Sequence, residues 1–363
     1  MSGGPTALVT GCCGYIGAWV TLTLLRAGFA VRGSSREPDY ARALFDEVFA
    51  AEPDDLRARF TLVGGELLDP RSWEGAADGC SVVVHTACPV ATEVGTPASA
   101  MHDPAVKGTE NVIREAARAG GVTRFVYLSS VVALLDHHLP VADPRAPARV
   151  GPADWNETAS PETDPYAHAK VRAERAARAL LAELIPEAEF AAVLPGPVLG
   201  PPVAGRRVAA SIDKTLTPLL SGQLRLGSVD MTLGLVDVRD VARAVAEVAR
   251  LPTGLIARDP AASRFVCVTR PAPTIQDVAD AIRRAFPSYA RALPRGANPL
   301  PRWMLLPAMR LAVTREAYSY TRAMLGRRVD FDTGLTESTL GVRFRPYVES
   351  VVDTVAWLRA RGA

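Results

Sequence analysis

Apolar residues follow two alternating rhythms along the first half of this chain. Short aliphatic and β-branched runs recur at 7–9, 29–33, 60–63, 81–86, 125–129 and 190–194. Their brevity and near-continuous hydrophobicity predict strands buried on both faces. Between them, apolar positions three or four apart predict helices over 15–27, 39–51, 106–119 and 161–184, with a short one near 72–77. Strand and helix in regular turn imply right-handed crossovers and a parallel sheet. The expected fold class is therefore α/β, a Rossmann-type doubly wound parallel sheet. In such sheets, ligands bind beyond the carboxyl ends of the strands.

After Pro195 the rhythm breaks into a Pro/Gly-rich stretch, PGPVLGPPVAG. Residues 234–250 read as a strand and helix returning to the main sheet, and helices are expected over 274–286, 303–325 and 348–360. This predicts a nucleotide-binding Rossmann domain over 1–195, rejoined by 234–250, and a smaller C-terminal substrate-binding domain over 196–363. Residues 303–313 are too few to span a bilayer and include Pro307 and Arg310. A buried helix is the expected state there, and a membrane-surface or partner-facing helix is the other reading.

Composition narrows the classes further. The 363 residues carry a formal net charge of only +2, with no basic stripe of the kind that binds nucleic acid. The N-terminus has no charged region ahead of an apolar run, so no signal peptide is expected. Cysteines 12, 13, 80, 88 and 267 are scattered and odd in number, which fits a reducing, cytoplasmic setting rather than a disulfide framework. Neither they nor the five histidines have metal-site spacing, so no metal is expected.

Three groups of residues carry chemistry. The first is TALVTGCCGYIG, residues 6–17, where a strand turns into a helix. Gly11 allows a positive φ, Gly14 lets the backbone approach a pyrophosphate, and Gly17 allows close helix–strand packing. The helix N-terminus offers free N–H groups to phosphates. The second is VRGSSRE after the second strand. Where NAD-preferring folds place an acid for the ribose hydroxyls, this chain has Ser35 followed by Arg36. A guanidinium there can bind a 2′-phosphate, which predicts a preference for NADP. Arg32 is a second cationic candidate, although strand alternation can point it elsewhere. The third is Tyr166 and Lys170, four apart and so on one helical face, with Ser129 and Ser130 ending the fifth strand. A phenol has a reference pKa near ~10, and a neighbouring ammonium lowers it.

TGCCGYIG, LSSV and YAHAK, in this order and spacing, resemble the extended short-chain dehydrogenase/reductases. SWEGAADGCSVVVHTACP, DPAVKGTENVI and LPGPVLGPP resemble the branch containing dihydroflavonol-4-reductases, cinnamoyl-CoA reductases and microbial aldehyde/ketone reductases. The resemblance spans residues 6 to about 250. It implies an NADPH-dependent reductase with Tyr166 as proton donor, Lys170 as its electrostatic partner and ribose ligand, and Ser130 polarising the carbonyl. It further implies that Gly11, Gly14, Tyr15 and Ile16 line the pyrophosphate and Arg36 the 2′-phosphate. Glu66 and Leu67 would flank adenine, while Ala87 and Pro195, Gly196 and Val198 would line the nicotinamide side. Three positions depart from the family pattern: Glu66 replaces Asp, Ala169 replaces Ser, and Cys12–Cys13 replaces a small pair. None removes a group the mechanism needs. The neighbouring thiols are expected first as small residues that fit the loop; the sharper alternative is redox sensitivity, because a helix N-terminus favours thiolates.

Alternatives on the same fold are a sugar-nucleotide epimerase or dehydratase and a hydroxysteroid dehydrogenase. Arg206, Arg207, Lys214 and Arg225 could serve a diphosphate. The loop after strand six lacks the aromatic-Asn pair of sugar-nucleotide relatives, which favours a small or aromatic apolar carbonyl substrate. Substrate selection is expected around 89–101, 131–139 and 199–228, with His137 and His138 at the rim. Expected partners are that small molecule, no nucleic acid and no membrane, with a homodimer left open.

Overall fold

The computed structural model describes residues 4–88, 99–136, 147–205, 207–295, 301–312, 318, 321–322 and 324–361. Strands β1 (Thr6–Thr10), β2 (Ala30–Ser34), β3 (Phe60–Val63), β4 (Val82–His85) and β5 (Arg124–Leu128) come first. They are followed by β6 (Ala148–Val150), β7 (Glu189–Pro195), β8 (Val198–Leu199), β9 (Val236–Asp237), β10 (Arg264–Cys267) and β11 (Val329–Phe331). Seven of them make one sheet in the order β10-β7-β5-β4-β1-β2-β3, every neighbouring pair parallel. β6 pairs with β11 and β8 with β9 in two small sheets.

The helices are α1 (Tyr15–Arg26), α2 (Pro38–Phe49), α3 (Asp54–Ala58), α4 (Ser99–Ala119), α5 (Pro165–Leu184) and α6 (Ala210–Leu220). Then come α7 (Val238–Arg250), α8 (Ile275–Ala285), α9 (Arg302–Ala312), α10 (Gly334–Leu340) and α11 (Tyr347–Ala360). Strand alternation sends successive residues to opposite layers. Ala7 and Val9 pack with α1, α2 and α7, whereas Leu8 packs with α4 and α5. Both faces of the sheet are covered, which is why its strands read as unbroken apolar runs. A third cluster joins Leu194 and Val266 at the sheet edge to α6, α8 and α11.

The chain runs from β1 outward through β2 and β3, then crosses back to β4 on the other side of β1. This reversal leaves a crevice between the carboxyl ends of β1 and β4, the usual ligand position in open α/β sheets.

Several elements differ from the expectation. β10 was not anticipated: its four residues begin with Arg264, a charge that breaks the apolar pattern but is buried against Glu174. The strand expected within 234–250 does not join the main sheet; Val236 pairs with Val198 of β8, and both side chains pack with α7 into the main core. α5 starts at Pro165, not 161, because Asp164 caps it by accepting from the Ala167 N–H at 3.1 Å. α4 begins earlier than expected, at Ser99, and carries Pro104 inside it. The helix expected over 303–325 is described as α9, and much of its remainder lies outside the described residues. Among those described, no helix is long and apolar enough to cross a membrane.

Candidate active site

The crevice opens into a cleft of about 1420 Å³. Gly11, Gly14, Tyr15, Ile16, Gly17, Arg36, Glu66, Leu67, Ala87, Ser130, Tyr166, Lys170, Pro195, Gly196 and Val198 all line it. Residues scattered over the sequence thus meet in one space.

The glycine loop has the geometry its spacing implied. Gly11 has φ +66°, a conformation that other residues rarely adopt. A Cβ on Gly17 would overlap the Gly11 carbonyl oxygen and come within 2.9 Å of the Thr86 hydroxyl. Gly14 is the N-cap of α1 and provides no side-chain cap, so the first-turn N–H groups of α1 stay available at the cleft wall. This cradle of backbone donors suits a pyrophosphate. The Tyr15 hydroxyl donates to the Gly200 carbonyl at 2.7 Å, tying α1 to the segment after β8.

At the end of β2, Ser35 is buried and its hydroxyl accepts from the Glu37 N–H at 3.0 Å. Cys13 Sγ lies 3.1 Å from the same oxygen. Arg36 is exposed at the cleft wall. Arg32 is engaged elsewhere: its guanidinium donates to the carbonyls of Gly75 and Ala76 at 2.7 and 2.9 Å. Sequence reasoning considered Arg207 only as a diphosphate ligand. In the structure it stands at this end of the cleft, with Glu37 and Tyr40. Beyond β3, Glu66 is held by its backbone, its N–H donating to Ser72 Oγ and its carbonyl accepting from Trp73 Nε1. Asn111 of α4 donates to the Leu67 carbonyl at 2.8 Å, and Gly108 makes room for the Leu67 side chain.

At the other end, α5 carries Tyr166 and Lys170 one turn apart. Lys170 is 3% exposed, and its Nζ donates to the Leu128 carbonyl at the end of β5. That nitrogen lies 6.0 Å from the centre of the Tyr166 ring and 5.5 Å from that of Tyr127. The two neighbouring serines differ. Ser129 donates to Glu174 at 2.7 Å, whereas Ser130 Oγ, among the described residues, makes long contacts of 3.4 Å to Pro195 O and the Val132 N–H. Glu174 is itself fully buried, paired with Arg264 at 2.9 Å, and Arg264 stacks 3.9 Å from the Trp155 ring. This network ties β5, α5 and β10 together behind the serines. It has no linear sequence signature.

His85, at the end of β4, supports the cleft from beneath. Thr109 donates to the Ala105 carbonyl, so it accepts from His85 Nε2, and Nδ1 accepts from Thr10. Thr10 Oγ1 in turn accepts from the Ala87 N–H. Burial, and then the Lys170 charge, push the imidazole down to about 3, so it is neutral.

The thiol expectation needs correction at Cys12. That residue is fully buried, and burial raises its pKa rather than lowering it. Cys13 and Cys88 do line the cleft. Residues 89–98, Arg206, His137 and His138, which carried part of the expected substrate selection, lie outside the described residues. Among those described, no three His, Cys, Asp or Glu side chains converge as metal ligands.

Sheet order, switch-point cleft and uncapped glycine turn together define a protein of the Rossmann-type nucleotide-binding class. The chain belongs to the NAD-dependent epimerase/dehydratase family, the extended short-chain dehydrogenase/reductases; the family model matches residues 7–256. It is 31% identical to cinnamoyl-CoA reductase 1 of Arabidopsis thaliana over 79% of this chain and 76% of that one. It is 28% identical to the dihydroflavonol 4-reductase of Zea mays over 78% and 75%. Its fold is like that of Gre2 from Candida albicans, solved in complex with NADPH. The TM-score is 0.76 at 22% identity, over 99% of this chain and 100% of that one.

Proposed function

We propose that this protein is an NADPH-dependent reductase that converts an apolar aldehyde or ketone to an alcohol. The observation that carries the reading is the meeting, in one cleft, of the glycine loop, Arg36, Ser130, Tyr166 and Lys170. The reductase names of the two curated relatives and the NADPH held by Gre2 support it.

The residues present fit the cofactor. Backbone donors of the α1 turn would hold the pyrophosphate and Arg36 the 2′-phosphate, and Ser35 presents no carboxylate to repel it. Glu66 and Leu67 would flank the adenine, and Ala87 with Pro195, Gly196 and Val198 would border the nicotinamide. When bound, NADPH supplies the hydride. Tyr166 gives its hydroxyl proton to the carbonyl oxygen, and the Lys170 ammonium stabilises the charge left on the phenol oxygen. Ser130 donates to the same carbonyl oxygen and holds it in place; its loose contacts leave the hydroxyl available for this. Ser129 serves the fold through Glu174.

The substrate end of the cleft is lined by Val131, Val132, Met231, Leu233, Met304 and Met309. Flexible thioethers among aliphatic walls suit an uncharged apolar ligand of variable shape. The test is NADPH oxidation by the purified protein with aromatic and aliphatic aldehydes, ketones and diketones, followed by addition of UDP- and dTDP-sugars. Reduction of simple carbonyls, undisturbed by the sugars, is the expected result. Turnover of the sugars, with no simple carbonyl reduced, would replace this reading with the epimerase/dehydratase one.

A further inference from the structure

The 2′-phosphate end of the cleft contains an acid that the NADPH reading must accommodate. Glu37 lies two residues beyond Ser35, lines the cleft, and is 41% exposed at its side chain. A carboxylate there would oppose a dianionic phosphate. Arg207, from the segment before α6, forms a two-pronged pair with it, Nη1 to Oε1 at 3.0 Å and Nη2 to Oε2 at 2.6 Å. The same guanidinium stacks 3.8 Å from the centre of the Tyr40 ring. Its N–H bonds hold the Glu37 carboxyl below the usual carboxylate range.

Arg207 is carried on a segment docked against the nucleotide-binding half. The Gly200 carbonyl accepts from Tyr15 at 2.7 Å and the Pro201 carbonyl from Trp19 Nε1 at 2.9 Å. The Gly205 N–H donates to Glu47 at 3.3 Å. An ion pair this exposed adds little to stability. Its position has a chemical consequence instead: it replaces a repulsive carboxylate with a neutral pair that still has guanidinium N–H groups at the cleft.

We propose that Arg207 is an NADP-selectivity residue that cancels the Glu37 charge and, with Arg36, binds the 2′-phosphate. The inference rests on the NADPH reading. It makes the C-terminal half a contributor to cofactor choice, which the usual determinants after β2 do not require. It also joins cofactor binding to the substrate side, because α6 begins three residues later and its Ser211, Lys214 and Thr215 line the same cleft.

The experiment is calorimetric titration of the full-length protein with NADPH and with NADH. Wild type, Arg207→Ala, Glu37→Gln and the double variant are compared through the ratio of the two Kd values. Loss of one charge-assisted phosphate contact should reduce the preference of Arg207→Ala for NADPH by about tenfold. The double variant should regain part of it, about threefold, because the exposed carboxylate is gone. Glu37→Gln alone should keep the preference. An unchanged ratio in Arg207→Ala, or equal loss toward both cofactors, overturns the proposal. A double variant no better than Arg207→Ala overturns the charge-cancelling role. A wild type without preference for NADPH ends the NADPH reading and this proposal together, whereas a preferring wild type with an indifferent Arg207→Ala ends this one alone.

Discussion

At the scale of single residues, neighbours in sequence take different jobs because a strand end turns them to different surroundings. Ser129 faces the buried Glu174, and Ser130 makes long contacts beside the cleft. Tyr166→Phe keeps the ring and deletes the proton; turnover should fall by ~10²–10⁴-fold while NADPH still binds by titration. Near-normal turnover would remove Tyr166 from the mechanism. The paired cysteines separate in the same way. Iodoacetamide should label Cys13 and Cys88 at the cleft in the native protein and spare the buried Cys12, Cys80 and Cys267 until it is unfolded. Peptide mass spectrometry reads this directly, and early labelling of Cys12 would contradict its burial.

At the scale of elements, α5 does the most positioning. Its sequence places Tyr166, Lys170 and Glu174 four apart, so one helical face presents the phenol, the ammonium and the buried carboxylate in order. Asp164 and Pro165 set where that face begins, as N-cap and first helical residue. Asp164→Ala should lower stability by about 1 kcal/mol in urea denaturation, and Asp164→Asn, also a good cap, should restore most of it. Turnover should drop in the Ala variant more than NADPH binding does, because the first turn holding Tyr166 frays. An Ala variant as stable and active as wild type would deny the cap this role. The far end of the same face is fixed by Arg264, whose buried guanidinium reaches Glu174 and stacks on Trp155.

At the scale of the whole molecule, the sheet brings β1, β4 and α4 together around a neutral His85. Its folded-state pKa, about 3, lies below the usual 6.5. Between these values the unfolded chain binds a proton that the folded chain refuses, so stability falls as pH drops from about 6.5 toward 3. Above that window the contribution is fully present. The slope attributable to one such group is about 1.4 kcal/mol per pH unit. His85→Gln should flatten the loss of stability between pH 6 and 4 by up to about that slope, even if the variant starts less stable. Equal slopes in chemical denaturation of the two proteins would show that His85 does not titrate this way.

How much of this was legible from the sequence depends on the range of the interactions. The glycine turn was readable because positive φ and close packing at residues 11, 14 and 17 are local demands on residue type. The Tyr166/Lys170 pair was readable because helical spacing is local too, and strands buried on both faces announce themselves as apolar runs. The sequence determined these elements, their order and the candidate residues. It did not mark β10, whose opening arginine is buried against a carboxylate that α5 supplies from 90 positions away and against the Pro152 and Asp154 carbonyls. Nor could it pair Ser129 with Glu174, send Arg32 to the 75–76 carbonyls, or set Arg207 against Glu37 across 170 positions. In each case the deciding partner is distant along the chain, and a side chain's charge or donor has many candidate partners until the fold selects one. Tertiary structure made those choices, because burying a charge or a donor is tolerable only where a partner waits.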